Sequence, residues 1–515
     1  MSIRSAPQAA IGAEHPVPRR KERNPPPERS KPFGGSVPNA IRQAVVYASQ
    51  GTEFFRGRFF TAAIAAYRKS LKSDPHQPAV LSNLGAAYSL AGKPAKSETL
   101  LRKAIEINPN FVAARSNFLL SLHYSGHRTP QAIADEHRTH GGAWKLPVSA
   151  PLRRPLRRRR LRIGYVSSDF RHHPVARFIE PVLANHDARR IEVFCYHSAP
   201  VEDETTQRLQ LLAEHWRSIA RLSDGEAADQ IRKDRCDILI DLNGHTHGNR
   251  LGVFAMMPTP VQATYLGYPN GTGIDAIRYR LTDAESDPPG MTDYLYNEKL
   301  IRLPSCFLCY RPPDDAPAVR AKRATGPDEF VFGSLNQYQK ISDFTLQLWA
   351  AILRRVDSSK LLLQSFSMSD PRIADDARRR ISKLGIEPGR IILAGYSHPH
   401  LHVYNRIDLA LDPFPFHGAT TTCEALWMGT PVVTLAGHSH VSRMGVSLLK
   451  AAGLENFIAR TPEEYVGIAC EWATDIPALE KLRRGLRRRV VRSQLRDEAS
   501  FTTGFETCLM KMWKE

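Results

Sequence analysis

Four short stretches hold the residue types that group transfer from an activated phosphate requires. In GSLNQYQKI, Gln337 and Lys340 follow an apolar run. A lysine at the mouth of a cleft neutralises a departing diphosphate as a point charge, and a glutamine there binds a base or phosphate edge. In DPFPFHGATTTCEALWMG, Thr420, Thr421 and Thr422 open a helix after a loop broken by Pro413, Pro415 and Gly418. The unpaired N–H groups and the dipole of such a helix start favour an anion. Glu424, in its first turn, is placed to accept from ribose hydroxyls. In SSDFRHHPVARF, His172 and His173 fall on the loop leaving a strand, and Pro174 interrupts that loop. In DLNGHTHGNR, the tight turn Asn243–Gly244 precedes His245 and His247. Plainer readings stand beside these: a threonine cap on an ordinary helix, a solvated lysine, packed or surface histidines. His245 and His247, with His398, His400 and His402, also raise a metal site. Against it, the nearby carboxylate Asp241 lies within a strand and no cysteine joins the group.

The elements that would position these residues alternate between strand and helix. Apolar runs at 161–167, 193–197, 237–242, 261–266 and 300–303 read as strands, with helices near 175–185, 203–215 and 225–233. A second series follows at 330–335, 360–364, 390–393, 409–412 and 431–435. Two such series predict two doubly wound domains facing each other across a cleft. The strands' carboxyl ends face that cleft, where the histidine, lysine and threonine loops all lie. A last helix over 500–513 is expected to cross back to the first domain.

Ahead of these domains the texture is different. Residues 1–38 are rich in Pro, Arg and Ser and are expected to be disordered. From Ala44 a repeat of about 34 residues emerges, the tetratricopeptide period. Pro75 and Pro109, Gly51 and Gly85, Phe54 and Tyr88, and Tyr67 and Leu101 each stand one period apart. Small residues let paired helices approach, large ones fill the seam, and proline follows the second helix. The repeats are assigned to 39–125, and Val112–Leu122 starts a third unit. Residues 126–160 form a connector with helix over 129–138 and then a Pro/Arg-rich linker. The catalytic domains are assigned to 161–320 and 321–515.

Length and composition bound the rest. The 515 residues allow three or four domains, and 42% apolar content supports real cores. The formal charge of +19 raises nucleic acid. Much of that charge sits in the N-terminal tail, 153–162 and 481–492, with no nucleic-acid-binding motif beside it, so no such partner is expected. The seven cysteines are scattered, and the one C-x-x-C, Cys306 and Cys309, lies in an apolar stretch without a second pair. Reduced thiols, no membrane-spanning run and no signal-peptide core predict a soluble cytoplasmic protein with no membrane partner.

The wording FHGATTTCEALWMG, with SDF..HP, NGHT/YLGYPNGTG and N-Q-x-x-K-I, resembles the protein O-GlcNAc transferase / SPINDLY family, and the likeness runs from about 39 to 515. It implies tetratricopeptide repeats followed by a GT-B-like glycosyltransferase of two facing Rossmann-like domains. Residue by residue, it places the active-site histidine on His173, the leaving-group lysine on Lys340 and the nucleotide glutamine on Gln337. It places a nucleotide-contacting histidine on His400 and the nucleotide-sugar loop on Ala419, Thr420, Thr421 and Glu424. Asn243, Gly244 and His245 are implied to line the cleft, with Tyr265–Gly273 beneath them.

The expected activity is inverting, metal-independent transfer of N-acetylglucosamine from UDP-GlcNAc to Ser/Thr hydroxyls of proteins. Acceptors would be held by the repeats and the cleft, and no cofactor is implied. The sequence has no Asp-x-Asp, the pair through which many glycosyltransferases hold a diphosphate-bound metal. Ala419 and Glu424 stand where animal members carry histidine and aspartate. The ATTTCE, MGVSLL and RLPSCFLCY wording is closer to the SPINDLY branch, so GDP-fucose is the alternative donor. A catalytically idle repeat scaffold is the alternative function.

Overall fold

The computed structural model describes residues 39–144, 160–320, 329–397 and 399–515. The expected disordered tail, the Pro/Arg-rich linker short of Arg160, and His398 lie outside them. The N-terminal arm is a run of antiparallel helices: Asn39–Arg56, Phe60–Ser73, Pro78–Leu90, Pro94–Ile107, Val112–Ser121 and Pro130–Gly141. The repeat is visible in its contacts. A Cβ on Gly51 would stand 2.5 Å from the Tyr67 ring, and one on Gly85 would stand 2.9 Å from Leu101. The same glycine-on-large-residue seam thus recurs one period later, because only a bare Cα lets these helices close. Pro75 and Pro109 lie just past the helix ends at Ser73 and Ile107.

The first sheet holds β1 (Leu161–Ser167), β2 (Ile191–His197), β3 (His215–Ser218), β4 (Ile238–Asp241), β5 (Val261–Thr264), β6 (Tyr279–Asp283) and β7 (Lys299–Leu303). Its order is β3-β2-β1-β4-β5-β6-β7, parallel throughout. The second holds β8 (Phe330–Ser334), β9 (Ser359–Gln364), β10 (Ile391–Ala394), β11 (Leu409–Leu411), β12 (Val432–Leu435) and β13 (Ile458–Ala459), in the order β10-β9-β8-β11-β12-β13. Central strands such as β4, β5 and β8 are buried along their whole length, as parallel strands covered by helices on both faces must be.

Three strands and one helix end depart from the sequence reading. β3 and β6 had no apolar signature, β13 is only two residues long, and the helix expected over 203–215 stops at Gln210, leaving His215 in a strand. β3 is a short, half-exposed edge. β6, YRLTD, is fully buried despite two charged side chains. Arg280 Nη1 donates to the carbonyls of Tyr268 (3.1 Å) and Asn270 (2.6 Å), which pairs part of its buried guanidinium.

Each sheet reverses its winding once, between β1 and β4 and between β8 and β11. The two reversal points carry the loops that matter: after β1 and β4 in one lobe, after β8 and β11 in the other. The terminal helix Glu498–Lys514 does cross back. It buries Phe501, Phe505, Leu509 and Met512 in the first lobe's core with Ile163, Tyr165 and Tyr265, each worth roughly 1.5–3 kcal/mol.

The arm is fixed to both lobes. Ser367 Oγ donates to Leu90 O at 2.6 Å and Gln339 Nε2 donates to Tyr124 Oη at 3.0 Å on the second lobe. On the first, His137 Nε2 meets Tyr268 Oη at 2.7 Å. From residue 40 onward the described residues accordingly hold together as one compact unit.

Candidate active site

In the first lobe, β1 ends at Ser167 and the chain turns through Asp169 and the two histidines. His173 caps the helix Pro174–Asn185, an arrangement the His-Pro pair favours because Pro at the first helical position gives up an N–H that has no partner there. His173 Nδ1 accepts from Val175 N at 3.3 Å, with Asp169 Oδ2 3.6 Å away. Burial holds the imidazole below its ordinary pKa, against the pull of Asp169. A neutral ring whose Nδ1 accepts carries its proton on Nε2.

Asn243, Gly244 and His245, implied to line the cleft, are all three buried. Asn243 Nδ2 donates to Ser168 Oγ (2.9 Å) and Asp169 Oδ2 (2.8 Å), while its Oδ1 accepts from Ser168 N (3.0 Å). It staples the β4 loop to the β1 loop. Gly244 has φ +53, and a Cβ there would strike Tyr268 at 2.3 Å, so glycine is required. His245 bonds Thr272 O at 2.8 Å through Nε2 and Ser116 Oγ at 3.2 Å through Nδ1, and burial pushes its pKa down to about 4. Both ring nitrogens are thereby engaged. Among the described residues no cluster of three or more His, Cys, Asp or Glu is placed to hold a metal ion.

In the second lobe the loops after β8 and β11 interlock. Lys340 Nζ donates to His417 O at 3.1 Å and sits 4.1 Å from the centre of the Phe416 ring. Burial lowers the ammonium's pKa to about 8, opposed by Asp412. The same burial raises Asp412 to about 7, although Gly418 N (2.7 Å) and Thr434 Oγ1 (2.9 Å) both donate to it. Thr421 Oγ1 donates to Asn336 Oδ1 at 3.1 Å, which ties the second loop back to the first. The helix Thr420–Trp427 starts just past His417 with Ala419 at its cap position and no side-chain cap. Its first-turn N–H groups therefore start close to the carbonyl that Lys340 holds, with no side-chain cap from Ala419. Gln337 begins the Tyr338–Lys340 turn, and its Oε1 is buried without a hydrogen-bond partner.

His400 and Glu424 meet each other, with Nε2 3.0 Å from Oε1. The His400 ring also stacks on Tyr396 at 5.5 Å, and Tyr396 lies against Phe366 at 4.4 Å. A cavity of about 420 Å³ joins this group to the other lobe, since His173 and His400 both line it. Arg177, on the same helix face as His173, lines it as well. The motifs gave no sign of Phe416 under the lysine, Asn336 behind Thr421, or Asp169 behind His173. Arg177 was findable, since it stands at i+4 from His173 on a predicted helix.

Two facing parallel α/β lobes, with a lysine and an uncapped helix start in one and a histidine in the other, define a GT-B-like glycosyltransferase architecture. The chain belongs to glycosyl transferase family 41, whose profile matches residues 137–311 and 313–505. It is 38% identical over 424 residues to the probable UDP-N-acetylglucosamine–peptide N-acetylglucosaminyltransferase SPINDLY of Solanum lycopersicum, covering 80% of this chain and 45% of that protein. The Arabidopsis thaliana relative SEC, given the same probable activity, is 34% identical over 71% of this chain and 38% of its own length. The chain thus spans less than half the length of these curated relatives. A solved structure of a lysine-to-methionine mutant of Thermobaculum terrenum O-GlcNAc transferase superposes with a TM-score of 0.86 at 36% identity, covering 92% of this chain and 91% of that one.

Proposed function

We propose that the chain transfers N-acetylglucosamine from UDP-GlcNAc to serine and threonine hydroxyls of partner proteins, with inversion and without a metal. The observation that carries this is Lys340: its partly desolvated ammonium is held on the His417 carbonyl, beside the uncapped start of the Thr420 helix. Those two groups supply positive charge where a diphosphate departs. The acceptor oxygen attacks the anomeric carbon and gives its hydroxyl proton to a phosphate oxygen of the departing UDP, while the bond to the β-phosphate oxygen breaks and its electron pair leaves on UDP. Charge growing on that oxygen is held by Lys340 and the helix N–H groups, and a donor of this kind is worth roughly 2.7–4 kcal/mol in the transition state.

His173, across the cavity from His400, acts as a positioner. Its Nδ1 is occupied by Val175 N, so Nε2–H is a donor to sugar or acceptor oxygen rather than a base. The orphan Oε1 of Gln337 is an acceptor awaiting a nucleotide donor. The His400–Glu424 pair and the Tyr396 ring offer a hydrogen-bonding edge and a stacking face to base and ribose. The family membership and the likeness to the Thermobaculum protein support the donor and reaction class. Acceptors would lie along the helical arm, and the seven free cysteines, six of them buried, suit the reducing cytoplasm.

The test is nucleotide release from UDP-GlcNAc, UDP-glucose and GDP-fucose offered separately with acceptor protein. Release of UDP from UDP-GlcNAc, with label on protein, is expected. Release from GDP-fucose alone would overturn the donor, and release from none would leave an idle scaffold.

A further inference from the structure

Away from the cleft, the arm carries a second cavity of about 560 Å³ between the helices Phe60–Ser73 and Pro94–Ile107. Leu71, Leu84 and Leu100 form its apolar floor, and Arg68, Lys72 and Lys96 stand on its rim, all three exposed. Helix Phe60–Ser73 holds Arg68, Lys69 and Lys72 and no acidic residue. None of the three rim bases forms an ion pair with a carboxylate among the described residues. Glu98, on the neighbouring helix, is already taken by Arg102 and Arg128. Lys96 instead hangs 5.5 Å over the Tyr88 ring, which extends the apolar wall. The combination is a greasy slot with an uncompensated positive rim.

We propose that this groove docks an acidic segment of a partner protein, with an apolar side chain of that segment seated on the leucine floor. Charge complementarity selects the occupant. The chain's own N-terminal segment, which contains RRKER, has the wrong sign. Nucleic acid has the right sign, but a phosphate backbone would leave the leucines uncovered, and one tyrosine is a poor platform for stacked bases. An acidic peptide satisfies both rim and floor. The helix Pro78–Leu90, which supplies Leu84 and Tyr88, also bonds Gln339 through Ser89 Oγ at 3.1 Å. A docked segment is thereby carried on an element fixed beside Lys340. The inference does not depend on the sugar chemistry, because docking needs no donor.

The experiment is fluorescence anisotropy on the full chain with a fluorescein-labelled peptide of repeating Glu-Glu-Leu units. The controls are its Lys-for-Glu and Ser-for-Leu counterparts. The acidic, leucine-bearing peptide should bind, and both controls should bind at least roughly tenfold more weakly. The triple charge reversal R68E/K72E/K96E lies on the surface, so its melting temperature should hold while it loses the acidic peptide and gains the Lys-for-Glu one. Equal binding of all three peptides, or an unchanged affinity in the triple variant, would overturn the proposal. So would tighter binding of poly(U) at this groove, or a wild-type dimer that the charge reversal dissolves, since either would assign the groove to another occupant.

Discussion

The ammonium of Lys340 rests 4.1 Å from the centre of the Phe416 ring, and the same ring stacks on Tyr124 of the helical arm at 5.3 Å. The proposed leaving-group cation is therefore seated on an aromatic platform that the arm supports. An aromatic face favours the charged form of a lysine, while burial disfavours it. Burial wins here, with the pKa lowered to about 8. Because the charged form is the working one, kcat/KM should fall as pH rises through about 8 in the free enzyme. Phe416→Leu removes a cation–π contact worth about 0.5–2 kcal/mol and should move that alkaline limb towards neutral pH. A limb unmoved in Phe416→Leu would detach the ring from the lysine's ionisation.

Nucleotide binding should report the same group. Bound diphosphate raises the lysine's pKa, so above about pH 8 UDP should take up a proton as it binds. Calorimetry in two buffers of different ionisation enthalpy measures this directly. Uptake should vanish in Lys340→Met, and proton release by the native chain would reverse the assigned sign.

Asn243 staples the β4 loop to the β1 loop. Asn243→Ala removes a hydrogen bond from the buried Asp169 carboxylate and the side-chain acceptor of Ser168 N, which costs roughly 1–3 kcal/mol for each group left unsatisfied. The melting temperature should drop and turnover should fall as the His173 loop loosens, while UDP affinity, which belongs to the other lobe, should hold. A variant as stable as the parent would show the bonds to be replaceable by water.

Metal removal gives a further outcome. With Lys340 and the Thr420 helix start carrying the charge, turnover should persist in excess EDTA. Activity lost to EDTA and restored by Mn²⁺ would contradict that assignment.

What the sequence revealed follows from what is local. Strands β1, β4, β8 and β11 are apolar runs, and the loops behind them announce themselves through proline, glycine and asparagine. β6 hid because Arg280 and Asp283 are buried in it, tolerable because the carbonyls of Tyr268 and Asn270 accept from the one and the N–H groups of Ser286 and Phe307 donate to the other. His245 gave no sign of one of its partners because Ser116 Oγ belongs to the arm, 129 residues earlier. The Phe416–Tyr124 stack escaped for the same reason. A contact between arm and lobe leaves no period in either segment.

The most direct test of the central claim is the turnover of Lys340→Met at saturating UDP-GlcNAc, read as UDP release from a variant that melts like the parent. Methionine keeps the length and loses the charge. Turnover should fall by about 10²–10³, the usual cost of removing one electrostatic donor to a developing anion. UDP affinity should weaken as well, because the ground state already carries charge, whereas His173→Ala should keep UDP affinity while losing turnover. Unchanged turnover in a well-folded Lys340→Met would contradict the leaving-group role on which the proposed function rests.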